Sequence, residues 1–513
     1  MRSPLRALAG LAIVGLLAGC GTTLPDRDFN VLGSGKAHLP QTVSSNGTVP
    51  GVTGTATPGA TTGPGKVSGG NRPGAGVVTQ PGAGHNGGNS SGTQSGGGNN
   101  AAAPPAAATT CQGKPTASDV GVTPSTIKIG NIYSGAGNPF APDQFIPNYY
   151  GVESYVQYIN NAGGICGRKI QLVKCDDNGD RNQDITCAHN LIDQDKVFAL
   201  VGDNVYQYSG ASYISSKHVP DIGGEPITGN AYYTYPDLYS VIGSYYQNNG
   251  TPPPVYYAAP TVGLWFKQHL HLSRVGVIYY AQADSQRGAN QVADVLKSLG
   301  VKVDLESVPL AGDPTPEVQD MKANHDQAIF DALDINGNQK VCAAMQQYGV
   351  TVPKISTIST WTQEAGQALS SYPCLKNYYS WGTSTNYNDT SNKQVSIFRQ
   401  AYAAYANGAP LAQWSLEGWV AGMWFADAAA SCGGNLTRSC VVKFANTKKG
   451  YSARGLMDPH TLAFPHYRSK PATLTQCMTI VKWAGGSSGG WQTVVDHTHN
   501  CHTGRTVTYP TGG

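Results

Sequence analysis

Apolar and polar positions divide the 513-residue chain into three stretches with different grammars. Residues 7–18 form an unbroken apolar run behind Arg2 and Arg6, too short to cross a bilayer and flanked as a secretory signal is. From about residue 22 to residue 110 no period survives, and glycine, proline, serine, threonine and alanine dominate. Beyond that, short strand patterns and helix patterns take turns. Residues 126–132 alternate, and Ser134-Gly135-Ala136-Gly137 breaks the chain as a strand exit does. Val152, Tyr155, Val156 and Ile159 share one helical face, closed by Gly163-Gly164 before a strand over residues 169–174. A helix over about 182–194 leads to the apolar run 197–201, which ends in Gly202-Asp203-Asn204 and predicts a buried parallel strand feeding a polar loop.

The rhythm restarts after Tyr245. Strands are predicted over 275–280, 301–308, 328–333 and 354–359, and helices over 290–299 and around 342–348, with His269 and His271 at a helix end before the first of these strands. Two βαβ series in one chain predict an α/β fold of two doubly wound, Rossmann-like lobes. Ligands in such sheets sit outside the carboxyl ends of the strands, so two facing lobes place a site in the cleft between them.

Composition narrows the function. Residues 20–110 have too little apolar surface to offset the entropy of ordering, so they read as a flexible tether; a Gly-rich coil of that length spans ~50 Å end to end. A formal net charge of +3 and 13% charged residues leave no basic patch for nucleic acid. The chain carries 11 cysteines. Setting Cys20 aside leaves an even number, which a chain sent to an oxidising compartment uses for disulfides. Cys175 with Cys187 and Cys432 with Cys440 would close short loops, and Cys477 with Cys501 a terminal hairpin; Cys342 with Cys374 and Cys111 with Cys166 follow by elimination. Sequence alone leaves the pairing open.

Two resemblances add to this. Leu17-Ala18-Gly19-Cys20 resembles the bacterial lipobox, which implies cleavage after residue 19 and a lipid anchor on Cys20 at the extracytoplasmic face of the cell membrane. Residues 121–130 (GVTPSTIKIG), 159–170 (INNAGGICGRKI), Asp176-Asp177-Asn178, the 197–202 strand and the Val481-Lys482-Trp483 strand with Gly489-Gly490-Trp491 resemble, in order and spacing, the leucine/isoleucine/valine-binding branch of the type I periplasmic-binding-protein fold. That resemblance implies lobes joined by three crossings, near Tyr245, near Ser384 and after Lys482. Lobe 1 is then 111–245 plus about 384–482, and lobe 2 is 246–383 plus about 483–513. It implies a monomeric ABC-importer receptor that closes on a small-molecule solute and delivers it to a membrane permease, with no enzymatic activity and no cofactor.

The family holds its ligand carboxylate on serine and threonine loops; here the loop after residue 202 carries Asp203, Asn204, Tyr206 and Tyr208, and the next carries Glu225. An anion at Glu225 would repel a carboxylate. The second-lobe loops offer Asp334, Asn336 and Trp361. With Ser134 and Tyr280 these form the candidate lining, polar and aromatic, suited to a hydroxylated, amide-bearing or cationic solute: an amino acid, an amide or a related compound. Tyrosines outnumber phenylalanines 28 to 10, which fits partly exposed aromatic packing more than a dedicated stacking surface.

The remaining constellations are weaker. Asp496-His497-Thr498-His499-Asn500-Cys501-His502 crowds metal-capable groups but reads as an exposed terminal hairpin, and no metal is expected. The acidic run 176–184 lacks the spacing of a calcium loop, and the family resemblance implies that it is the turn after the second strand. No Gly-x-Ser-x-Gly elbow is present, and no cysteine is left free as a nucleophile. Two non-importer readings stay open: a ligand sensor acting on a membrane kinase or receptor, and an envelope scaffold that no longer binds a ligand.

Overall fold

A computed structural model describes residues 111–138, 140, 144–225, 231–232, 235–241, 255–256, 260–448, 450–459, 473–485, 490–505 and 507–508. Cys20, the signal, the tether and the crossing expected near Tyr245 lie outside them. The first sheet consists of β1 (Thr126–Tyr133), β2 (Lys169–Asp176), β3 (Ala199–Val201), β4 (Asp221–Gly224) and β5 (Leu238–Ser240). All are parallel, in the order β2-β1-β3-β4-β5. Strands β3 and β4 and the edge strand β5 are buried throughout, while the opposite edge strand β2 keeps exposed positions; the sheet is covered on both faces over most of its width.

The second sheet contains β6 (Arg274–Tyr280), β7 (Lys302–Val308), β8 (Ile329–Ala332), β9 (Lys354–Ser356) and β10 (Tyr378–Gly382), with β11 (Thr479–Trp483) and β12 (Trp491–Val495). Its order is β12-β11-β10-β9-β8-β6-β7. Because β11 pairs antiparallel with β10, the chain re-enters this lobe before Thr479. The expected crossing after Lys482 is therefore placed too late. The return path is instead seen at Leu456 and Asp458, which run beside the outgoing crossing: Thr385 N–H donates to Leu456 O at 2.8 Å and Asp458 N–H to Thr383 O at 3.0 Å.

The helices are α1 (Ile146–Asn161), α2 (Arg181–His189), α3 (Ala211–Ser216), α4 (Thr261–Leu270), α5 (Ala283–Ser298), α6 (Thr315–Ala323), α7 (Ile335–Gln347), α8 (Gln363–Ala368), α9 (Lys393–Tyr405), α10 (Gln413–Ser431) and α11 (Arg438–Thr447). Pro147 opens α1, where its missing N–H costs nothing. Helix α10 is buried along nearly its whole length and packs on α1 through two glycines. A Cβ at Gly151 would stand 2.0 Å from Ser415 O, and one at Gly418 would stand 2.0 Å from Asn148 O. Any side chain there forces the helices apart, so the pair brings backbones together as no other residue allows.

Four sequence expectations shift. Helix α5 starts at Ala283 rather than residue 290; its first buried position is Ala289, so a search for large apolar residues passes over its opening turns. Helix α7 starts at Ile335, capped by Asp334, rather than near 342. The strand expected over 354–359 stops at Ser356 and becomes a 3-10 turn over Ile358–Thr360. His497, expected on an exposed hairpin, is buried in a 3-10 turn, its N–H donating to Thr479 Oγ1 at 2.9 Å. Among the described residues no cluster of three or more His, Cys, Asp or Glu could hold a metal, and no helix is long and apolar enough to cross a membrane.

Five disulfides join Cys111–Cys166, Cys175–Cys187, Cys342–Cys374, Cys432–Cys440 and Cys477–Cys501. The first ties the start of the described chain to the turn that ends α1. Beside it Arg168, with none of its surface exposed, donates to the carbonyls of Thr123, Thr116, Gly433 and Gly434. One guanidinium thus gathers the N-terminal segment, the β2 entry and the end of α10.

Candidate functional site

A cavity of about 270 Å³ opens where the carboxyl ends of the two sheets face each other. The first lobe lines it with Phe140, Gln144 and Phe145, in the connection between β1 and α1, and with Tyr206 from the loop after β3. Trp414, at the start of α10, stacks on Phe145 with ring centroids 6.0 Å apart and planes inclined by 15°. Phe140 meets Tyr206 edge-on at 5.1 Å. Tyr206 is held from behind, its N–H donating to Ser134 Oγ at 2.8 Å.

The second lobe supplies the first two and a half turns of α5, through Gln291, the exits of β8 and β9, and Trp381 of β10. Ser285 fixes the helix to the strands: Tyr280 N–H donates to its Oγ at 2.8 Å, and that hydroxyl donates to Ala332 O at 2.6 Å. Asp334 accepts from Tyr280 Oη at 2.6 Å and from Gly337 N–H at 2.8 Å, so it serves as the cap of α7 and as a polar point on the wall. Burial raises Asp284, and the neighbouring Arg287, with Nη2 at 2.5 Å from its Oδ1, opposes that shift. Gln282 Nε2 reaches across to Tyr206 Oη at 3.5 Å, a polar contact between the two walls.

Of the ten residues expected in the lining, the structure gathers Tyr206, Tyr280 and Asp334 around the cavity. The others stand elsewhere. Ser134 is buried behind Tyr206. Asp203 accepts from Ile132 N–H at 2.8 Å, and its Oδ2 lies 2.8 Å from Tyr208 Oη, which is 2.9 Å from Asp221 Oδ2. Tyr232 Oη also donates to Asp221 Oδ2, at 2.6 Å, so each of the two buried carboxyls has a phenolic donor. Burial raises Asp203 well above its ordinary value and pushes Asp221 up to about 7. Asn204 is fully buried between Tyr133 and Glu225. Asn336 points to solvent on the first turn of α7, and Trp361 is wholly inside the core. A strand-end loop carries outward and inward positions alike, and sequence does not say which is which.

Glu225 is the most consequential correction. It is buried, and its carboxyl faces that of Glu417 on α10, whose Oε1 accepts from Ser384 Oγ at 2.5 Å. It does not line the cavity, so its charge is no argument against a carboxylate solute. Burial and then the Glu417 carboxyl raise it well above the ordinary glutamate range; burial likewise raises Glu417. Raised folded-state values mean that the folded protein binds more protons than the unfolded chain above about pH 4, so stability falls as pH climbs toward neutrality. Glu225→Gln is expected to remove part of that fall, leaving the variant more stable than the parent at pH 8 but not at pH 4. Urea unfolding at the two pH values measures this, and parallel pH profiles would refute it.

The lining residues absent from the sequence reading are chiefly Phe140, Phe145, Gln282, Arg287, Ser359, Trp381 and Trp414. Those on α5 were within reach, since the helix that follows a strand begins at the strand's carboxyl end. Trp414 was not, because it arrives from a helix more than 130 positions beyond β6.

Two lobes joined by paired crossings, with a cavity between facing strand ends, define a two-lobed solute-binding protein. A profile described as periplasmic binding protein matches residues 126–489. The chain belongs to that family, which comprises extracytoplasmic binding proteins and not enzymes. An amino acid binding protein of Pseudomonas aeruginosa is 36% identical over 103 residues, 20% of this chain and 26% of that protein. The match thus spans about a quarter of that relative's length. Among solved structures, a leucine binding protein of Thermotoga maritima aligns with a TM-score of 0.57 at 14% identity, covering 72% of this chain and 98% of that one. A fatty acid ABC transporter substrate-binding protein of Thermomonospora curvata also gives 0.57, at 16% identity and coverages of 75% and 94%. A Streptococcus pneumoniae branched-chain amino acid transporter substrate binding protein, in complex with isoleucine, gives 0.55 at 17% identity, with 74% and 100% covered. Likeness at such identity shows the shared fold.

Proposed function

We propose that this protein is the receptor of an ABC importer, capturing a small polar solute, an amino acid, amide or related compound, between its lobes and delivering it to a membrane permease. The observation that carries the reading is the cavity itself, walled by both lobes and already spanned by Gln282 and Tyr206. A solute there touches both sheets at once, so binding favours the closed form by whatever contacts the open form lacks. The names of the P. aeruginosa and S. pneumoniae relatives agree with an amino-acid-like solute. The working lobe boundaries are 111–245 with 384–458 for the first, and the second sheet with its helices for the other.

The same reading places a lipid on Cys20 and a tether over 20–110, holding the receptor near its permease and raising its effective concentration there. Cys20→Ala is expected to move the protein from the membrane fraction to the soluble one after fractionation; an unchanged distribution refutes the anchor. For solute capture the test is a thermal-shift screen of the full chain against amino acids, amides, polyamines and sugars. A ligand at 100 times its Kd adds ~2.7 kcal/mol of stability. No stabilisation by any member of the set counts against the reading.

A further inference from the structure

We propose that the solute is a planar ring, uncharged or cationic, with neutral hydrogen-bonding substituents, gripped between aromatic side chains of the two lobes. The proposal rests on the solute-capture reading and narrows its substrate class. Six rings surround the cavity: Phe140, Phe145, Tyr206 and Trp414 from the first lobe, Tyr280 and Trp381 from the second. They do not merely pack on one another, since a cavity of about 270 Å³ remains among them. An apolar cavity of about 150 Å³ accepts a benzene ring, so this one has room for a substituted ring. The aliphatic contribution is confined to one wall, at Ala332, Leu333 and Ile358. A branched aliphatic side chain would leave most of the ring faces without a stacking partner.

Charge points the same way. Among the described lining residues the single cation is Arg287, and it is engaged with Asp284 at 2.5 Å. Asp334 adds a further carboxylate, giving these three side chains together a formal negative charge. An anionic solute would have to displace Asp284 from Arg287 and approach Asp334; a cationic ring gains from the aromatic faces as well as from the acids. The other polar points are amides and hydroxyls, Gln144, Gln282, Gln291, Thr357 and Ser359, which pair with neutral donors and acceptors on a ring. Rings from both lobes also give such a solute a way to hold the cleft shut, because stacking on Phe145 or Trp414 and on Trp381 requires both walls.

The test is calorimetric titration of the full chain with five probes: nicotinamide, tyramine, benzoate, leucine and asparagine. Nicotinamide or tyramine is expected to bind at least about tenfold more tightly than leucine or asparagine, one favourable ring contact being worth roughly that factor. Benzoate is expected to be weaker than both. Trp414→Leu and, at a half-buried position, Tyr206→Leu each weaken the ring probe by roughly tenfold, and Trp414→Phe restores most of the loss. Leucine or asparagine binding as tightly as any ring overturns the ring class while leaving solute capture intact. Benzoate as the tightest probe overturns the charge assignment. Ring probes that bind with both leucine variants unaffected overturn the location. If none of the five binds, the ring proposal falls, and the wider screen of amino acids, amides, polyamines and sugars decides separately whether the capture reading falls with it.

Discussion

Arg168→Met is expected to lower the unfolding free energy by about 3–5 kcal/mol, the range for removing one partner from a buried charged network. Four backbone carbonyls converge on this guanidinium, none of whose side chain is exposed. Methionine fills much of the volume and satisfies none of them. Arg168→Lys should recover only part of the loss, because an ammonium cannot present the planar fork that reaches carbonyls on three segments. Denaturant unfolding of the parent and both variants decides the matter. A cost under about 1 kcal/mol for the methionine variant would mean that water replaces the guanidinium, contrary to the burial argument.

The second large effect lies in the other lobe. Lys354 of β9 and Asp331 of β8 form an ion pair with both side chains fully buried, and Asp331 Oδ1 also accepts from Ser356 Oγ at 2.9 Å, Asn338 Nδ2 at 3.0 Å and Leu333 N–H at 3.0 Å. Burial lowers the Lys354 ammonium and the Asp331 carboxylate opposes that shift. Lys354→Met strands a carboxylate in the sheet and is expected to cost about 3–5 kcal/mol. Adding Asp331→Asn removes the stranded charge and keeps a side-chain oxygen for the three donors, so the double variant should be more stable than Lys354→Met alone. The double-mutant cycle reads the coupling, expected at about 2 kcal/mol; additive costs would show that the pair does not stabilise the lobe.

How far the sequence reached can be judged element by element. The apolar positions Ile127, Ile129 and Ile132 of β1, Val275, Val277 and Ile278 of β6, and the α1 face of Val152, Tyr155, Val156 and Ile159 are buried, because period and burial share one geometric cause; the alternation of β1 gives way to continuous burial from Ile129. The start of α5 escaped because residues 283–288 carry no buried apolar side chain and the first buried position is Ala289, which offers little hydrophobic contrast. The return crossing escaped for a different reason: β11 is a strand by pattern, but which sheet it joins depends on its hydrogen-bonding partner, Tyr379 to Lys482 across to β10. For the site, the loops at the ends of β3, β6 and β8 were legible as loops, and they delivered Tyr206, Tyr280 and Asp334. The rotation of each side chain was not, which is why Asp203 and Glu225 face buried partners while Tyr206, a few residues along, faces the cavity.

By itself the sequence determined the alternation of strand and helix, the two-lobed class, the low-complexity stretch before residue 111 and an even set of cysteines in the globular part, all of which follow from local period and composition. Tertiary structure alone decided which strands share a sheet, where the chain recrosses, that Trp414 closes onto Phe145, and that Glu225 meets Glu417 instead of solute. Those outcomes join residues far apart in the chain, and the free energy that selects them comes from burial and pairing between surfaces, which no window of sequence contains.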